Sequence, residues 1–191
     1  DLPAVGRALG PVLRDHAAGL PQTRIVIELG RYVVAEAGSF VTRVRYTKLS
    51  KGIRFAVCDG GSNCHAAAGQ AAMFRSNFPM ARVGGRAASG AAGLWTIAGP
   101  LCTPTDIIGN QVMIDALSPG DLIRIDRSGG YGPSASPVNF LSFGAPAEVL
   151  ADGRSLTVIR ERATLGDHLT PQIPRPLTAA AARKTRIMET L

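Results

Sequence analysis

The sequence predicts a mainly β protein, a sandwich or a barrel, and three observations carry that reading. Short apolar runs recur along the chain, several of them alternate apolar and polar residues by twos, and clusters of Gly, Pro, Asn and Asp separate them. Many short strands with such punctuation favour packed or closed sheets over a helical bundle.

The first element is the exception. From Leu2 to Gly19 the apolar residues Val5, Leu9, Val12 and Leu13 fall at near-helical spacing, and Gly19 is placed to end the helix. Thr23 to Glu28 is an apolar run of strand type, with Arg24–Ile27 as the strand itself. It runs into Arg31–Ala37, read as helical turns stopped by Gly38. Phe40–Tyr46 and Ile53–Val57 alternate about the turn at Ser50-Lys51-Gly52 and form a hairpin.

Cys64 to Phe74 is alanine-rich and reads as a helix, and Arg82 to Gly93 reads as a glycine- and alanine-rich loop. Further strands are expected at Leu94–Ala98, Gln111–Ile114, Asp121–Asp126, Val138–Phe143, Ala147–Ala151 and Ser155–Ile159, with turns at Ser118-Pro119-Gly120 and Asp152-Gly153. Thr170 to Leu177 contains three prolines, and Thr178 to Leu191 reads as a terminal helix or a disordered tail. The sequence contains no internal repeat.

With 191 residues and 46% hydrophobic content, the chain is long enough for one core. It carries no apolar stretch near the ~20 residues that cross a bilayer, and its first residues lack the pattern of a signal peptide, so the expectation is a cytoplasmic protein without a membrane partner. The three cysteines, Cys58, Cys64 and Cys102, form neither an even disulfide set nor a paired zinc framework; free thiols and no metal are expected. A net charge of +7 would suit nucleic acid, but aromatics make up only 5% and the basic residues are dispersed, so no nucleic-acid module is read. The same charge would equally suit an acidic carrier protein or an anionic substrate, but a soluble surface with excess arginine is the reading preferred to either.

Three segments carry chemistry. Glu28-Leu29-Gly30-Arg31 places a carboxylate, a glycine and an arginine at the end of an expected strand. Gly99-Pro100-Leu101-Cys102-Thr103-Pro104-Thr105-Asp106 holds a cysteine in a Gly/Pro-bounded loop, where a thiol can donate a proton. Gly129-Gly130-Tyr131-Gly132 sets a tyrosine among residues that let backbone approach an anion closely.

In this order and spacing the segments resemble the fold-type III pyridoxal-phosphate (PLP) decarboxylases, the ornithine and diaminopimelate decarboxylase family. Glu28-Leu29-Gly30-Arg31 is similar to that family's Glu-Pro-Gly-Arg motif, Gly99-Pro100-Leu101-Cys102 to its cysteine loop, and Gly130-Tyr131-Gly132 to its phosphate-contacting tyrosine segment. Asp59-Gly60-Gly61-Ser62-Asn63 resembles its Asp-Gly-Gly turn. Within the family, this turn with Cys64-His65, together with Asn77-Phe78-Pro79, is most similar to the subgroup of biosynthetic clusters, which includes decarboxylases of carrier-protein-bound aminoacyl groups.

The resemblance implies a division of the chain. Residues 1–38 would be a remnant of the last β/α unit of a PLP-binding (β/α)8 barrel, 39–165 the C-terminal β domain, and 166–191 a Pro-rich segment with a terminal helix or tail. The lysine that holds PLP would lie in the earlier barrel; Lys48, Lys51 and Lys184 do not fall in that motif, and the absence of an initiating methionine agrees with a fragment.

It also implies roles. Glu28 would face the pyridine nitrogen, Gly30, Arg31 and Tyr131 would hold the phosphate, and Cys102 would return a proton to carbon across a dimer interface. Asp106 would orient the cysteine loop or cap a turn. Thr103 stands where family members acting on basic substrates carry an acid, which disfavours ornithine, lysine or diaminopimelate and favours a modified or carrier-bound amino acid. Leu29 in place of the motif's proline leaves the turn before Gly30 less constrained. The expected function is thus part of a PLP-dependent amino-acid decarboxylase, inactive without the barrel and working as a homodimer or with a separate barrel chain. The alternative is a non-catalytic binding or regulatory module that pairs with an intact homologue.

Overall fold

The computed structural model describes residues 1–20, 22–74, 76–84 and 90–173. Its centre is a six-stranded sheet of β1 (Phe40–Ser50), β2 (Ile53–Cys58), β3 (Met80–Val83), β4 (Gly93–Ala98), β5 (Ile107–Ile114) and β6 (Leu122–Ile125), in the order β3-β6-β1-β2-β4-β5. β1 is long enough to pair twice: Phe40–Arg43 run antiparallel to β6, and Val44–Ser50 run antiparallel to β2. The turn between β1 and β2 holds Lys51 and Gly52 at φ 49° and 77°, the doubly left-handed form that matches strand twist in a two-residue hairpin.

The sheet curls until its two edges nearly meet. The Asn77 side chain closes the seam, donating to the Asn110 carbonyl and accepting its N–H, both at 2.8 Å. Met80 lies against Gly109, where even a Cβ would stand 2.9 Å from its sulfur. The interior is filled by Val44, Ala56, Trp95, Ile97, Ile108, Ile123 and Ile125, drawn from alternate positions of the strands and joined by Ala68 of α3 (Ala66–Met73). This is the mainly β, barrel-like architecture expected from the alternation.

Several sequence expectations are corrected. Arg24–Ile27 forms no strand: Ile25, Val26 and Ile27 are exposed and no described neighbour offers a ladder, without which extended backbone has no hydrogen-bond partners. Val138–Phe143 is instead a 3-10 turn at Phe140–Ser142, with Leu141 and Ser142 in left-handed backbone that no strand adopts. Arg82 and Val83 belong to β3 rather than to a loop; residues 85–89 of that expected loop lie outside the described residues, as do 174–191 and the expected terminal helix or tail.

Outside the sheet, α1 (Leu2–Ala18) is capped by the Asp1 carboxylate and buries no residue. α2 (Gly30–Val34) continues as a 3-10 turn over Ala35–Ala37. β7 (Glu148–Asp152) and β8 (Ser155–Arg160) form a separate hairpin, and α4 (Leu165–Leu169) follows with Thr164 and Asp167 in a reciprocal cap.

Candidate cofactor and proton-donor sites

The first site is made where the turns after β6 meet α2. The Gly129 N–H donates to the Ala35 carbonyl at 3.1 Å and the Ser128 N–H to the Gly38 carbonyl at 2.8 Å. The contact requires glycine on both sides, since a Cβ on Gly129 would overlap the Val34 carbonyl and one on Gly38 would come within 2.6 Å of Gly129 Cα. That approach sets the Arg31 guanidinium over the Tyr131 ring, 4.6 Å from its centroid. Both residues are exposed, and nothing lies within 4 Å of the Cβ that Gly30 lacks.

A cation, a phenol and open backbone on one face are the donor set a phosphate needs, so the residues present fit that end of PLP. Glu28 precedes α2 in exposed, irregular chain and makes no ion pair with Arg31.

Beneath this face lies His65, whose importance the sequence did not reveal. It is 1% exposed and edge-on to both Phe40 and Phe78. Its Nε2 is 2.9 Å from Ser128 Oγ. Ser128 Oγ donates to the Ile125 carbonyl at 2.9 Å, so the network is completed when Nε2–H donates to Ser128. Burial lowers the His65 pKa from its ordinary value; the Tyr131 backbone opposes this and the Arg31 charge adds to it. Ser136 braces the same region: it accepts the Ala66 N–H at the start of α3 and donates to the Gly132 carbonyl, both at 2.8 Å.

The second site is the loop of Cys102, and Asp106 builds it. The buried Asp106 carboxylate accepts the Leu101 N–H at 2.8 Å and both the N–H and the hydroxyl of Ser62 at 2.7 Å. Gly61 and Gly99 touch back to back beside it, and a Cβ on either would overlap Asp106. Thr103 and Thr105 share a hydrogen bond of 2.9 Å on the outer side of the loop.

Cys102 is exposed and lines an open cleft of about 770 Å³ together with Arg45, Tyr46, Asp59 and Phe143. The other two thiols are buried. Burial, aided by Asp59, pushes Cys58 up to about 12, and burial pushes Cys64 up to about 11.

The two sites are distinct within one chain. None of Glu28, Gly30, Arg31 and Tyr131 lines the Cys102 cleft. What joins them is the turn from Asp59 to His65, bonded through Ser62 to Asp106 on one side and through His65 to Ser128 on the other.

Comparison with known proteins decides the family. Residues 31–129 match the model of the pyridoxal-dependent decarboxylase C-terminal sheet domain. The chain belongs to the pyridoxal-dependent decarboxylases. Among curated members of similar sequence, the L-glutamyl-[BtrI acyl-carrier protein] decarboxylase of Niallia circulans is 46% identical over 156 residues, which are 80% of this chain and 36% of that protein. The diaminopimelate decarboxylase of Haemophilus influenzae is 32% identical over 153 residues, 80% of this chain and 35% of that protein.

A diaminopimelate decarboxylase structure from M. jannaschii, in complex with L-lysine, superposes with a TM-score of 0.67 at 28% identity. It covers 77% of this chain and 32% of its own. The chain thus spans about a third of the length of these decarboxylases and matches their C-terminal sheet domain.

Proposed function

We propose that this chain contributes two half-sites to a PLP-dependent amino-acid decarboxylase: one that holds the cofactor, and one that returns a proton in the active site of a second copy. The observation that carries this reading is the separation of Cys102 from Arg31 and Tyr131 within a single chain. A complete site then takes the first group from one protomer and the cysteine loop from its partner, in a homodimer of chains that include a lysine-bearing barrel, to which residues 1–38 belong. Residues 39–165 are the sheet domain, and the assembly works in a reducing, cytoplasmic setting where the free thiols persist.

Bound PLP would supply the electron sink that accepts the electrons of the bond to the departing carboxylate. Arg31 and Tyr131 would grip its phosphate by charge-assisted hydrogen bonds, beside the open Gly30 backbone. Glu28 would pair with the pyridine nitrogen and keep it protonated. Cys102 would donate its proton to the substrate carbon after carbon dioxide leaves, the role of a general acid. Asp106 acts through the loop, holding Leu101 and with it the direction of Cys102.

Thr103 leaves the position after the cysteine uncharged, so the substrate is a modified or carrier-bound amino acid rather than one with a distal ammonium.

Complementation between variants of the whole enzyme tests this. Cys102→Ala and Arg31→Gln homodimers are each expected to release carbon dioxide slowly, and mixed and reassembled they should recover about a quarter of wild-type activity through the one intact site of each heterodimer. A mixture no more active than its parents would show that both residues serve the same site or that one serves none.

A further inference from the structure

The Cys102 cleft contains a charge that the reading above does not use. Arg45 is the extra residue in a β-bulge: Val44 pairs with Cys58 and Tyr46 with Val57, leaving Arg45 opposite no residue of β2. In a regular strand Arg45 and Tyr46 would face opposite sides of the sheet, whereas here both line the cleft beside Cys102. The Arg45 side chain makes no ion pair or hydrogen bond with any described residue. The acid of the same cleft, Asp59, makes no ion pair with Arg45: its Oδ1 accepts the Arg43 N–H at 2.9 Å and lies 3.0 Å from the Thr42 hydroxyl. Thr103 adds no charge.

From this geometry we propose that the Cys102 cleft is an anion-reading substrate channel, in which Arg45 pairs with an oxyanion carried by the acyl or carrier arm of the substrate. The volume, about 770 Å³, admits an extended chain rather than only a small free amino acid. The oxyanion is a side-chain carboxylate or the phosphate of a carrier arm; both would meet a guanidinium by the same paired hydrogen bonds. The inference rests on the cleft being the substrate entrance to the decarboxylase site, but its test does not depend on decarboxylation.

Cys102 itself is the reporter. It is the exposed thiol, and Cys58 and Cys64 are buried, so a folded chain is alkylated once and an unfolded one three times. The thiolate displaces iodide from iodoacetate, which is anionic, or from iodoacetamide, which is neutral. The ratio of the two rates reads the local charge. Arg45→Gln should lower the iodoacetate-to-iodoacetamide ratio about fivefold, Arg45→Glu further, and Arg45→Lys should leave it near wild type. Glutarate, 4′-phosphopantetheine or both should slow alkylation in the wild type and not in Arg45→Gln, the two probes separating carboxylate from phosphate.

A ratio unchanged in singly alkylated Arg45→Gln, or protection by neither anion, overturns the proposal. The heterodimer experiment above could still succeed in that case, and its failure would leave the alkylation result standing.

Discussion

Asp106 shows how one carboxylate can hold a loop that has no secondary structure of its own. Its three contacts reach Ser62, 44 residues away, and Leu101, five away. Asp106→Ala would leave the buried Leu101 N–H and the part-buried Ser62 N–H without acceptors, at an expected cost of about 3 kcal/mol, while Asp106→Asn keeps one acceptor oxygen, turns the other into a donor and should cost about 2 kcal/mol. Urea unfolding monitored at Trp95 measures both, and equal stability of the two variants would refute this account of the carboxylate. The sequence showed a cysteine loop ending in aspartate and left open whether Asp106 oriented the loop or capped a turn. That choice depends on which backbone packs against it, and Gly61 and Gly99 admit the carboxylate only because neither carries a side chain.

At the scale of elements, α3 and the turn after β6 are tied through His65 and Ser136. Because burial lowers the pKa of His65, the unfolded chain binds its proton more readily between the folded value and 6.5, the ordinary value. Stability therefore falls as pH drops through that window, and the Arg31 charge, which lowers the His65 pKa further, extends the window downward. His65→Leu should lower stability at pH 7.5 but flatten the decline toward pH 5. Urea midpoints at the two pH values decide this, and an undiminished slope in the variant would assign the titration elsewhere.

Legibility at this scale followed local rules. The hairpin of β1 and β2 was readable because alternation and the Lys51-Gly52 turn agree. β3 was hidden because Arg82 breaks its apolar pattern, a break tolerated through its 2.9 Å ion pair with Asp121. The run Arg24–Ile27 misled because it has the composition of a strand but no described partner. His65 gave no signal beyond its place after the Asp59 turn, since its value comes from Phe40, Phe78 and Ser128, which are distant in sequence.

Taken as a whole, the molecule leaves much apolar surface uncovered. Ile25, Val26, Ile27, Tyr32 and Val33, before and within α2, are each between 44% and 76% exposed, and the β7–β8 hairpin exposes Leu150, Leu156, Val158 and Ile159. Surface of this kind marks an interface. Sedimentation of the 191-residue chain should show association rising with concentration, weakened when Ile27 and Val33 are replaced by aspartate. A monomer at all concentrations would mean that this face is not a contact surface for the chain.

The Asn77 seam has the opposite effect on the sheet. By meeting the Asn110 backbone with a side-chain amide, it imitates the pairing of a neighbouring strand at one position of β5, so the two edges of the sheet close on each other there. Edge-to-edge pairing with another chain is thereby blocked at the seam. The β7–β8 hairpin has no such cover among the described residues, and amyloid-like growth would begin on its strand edges.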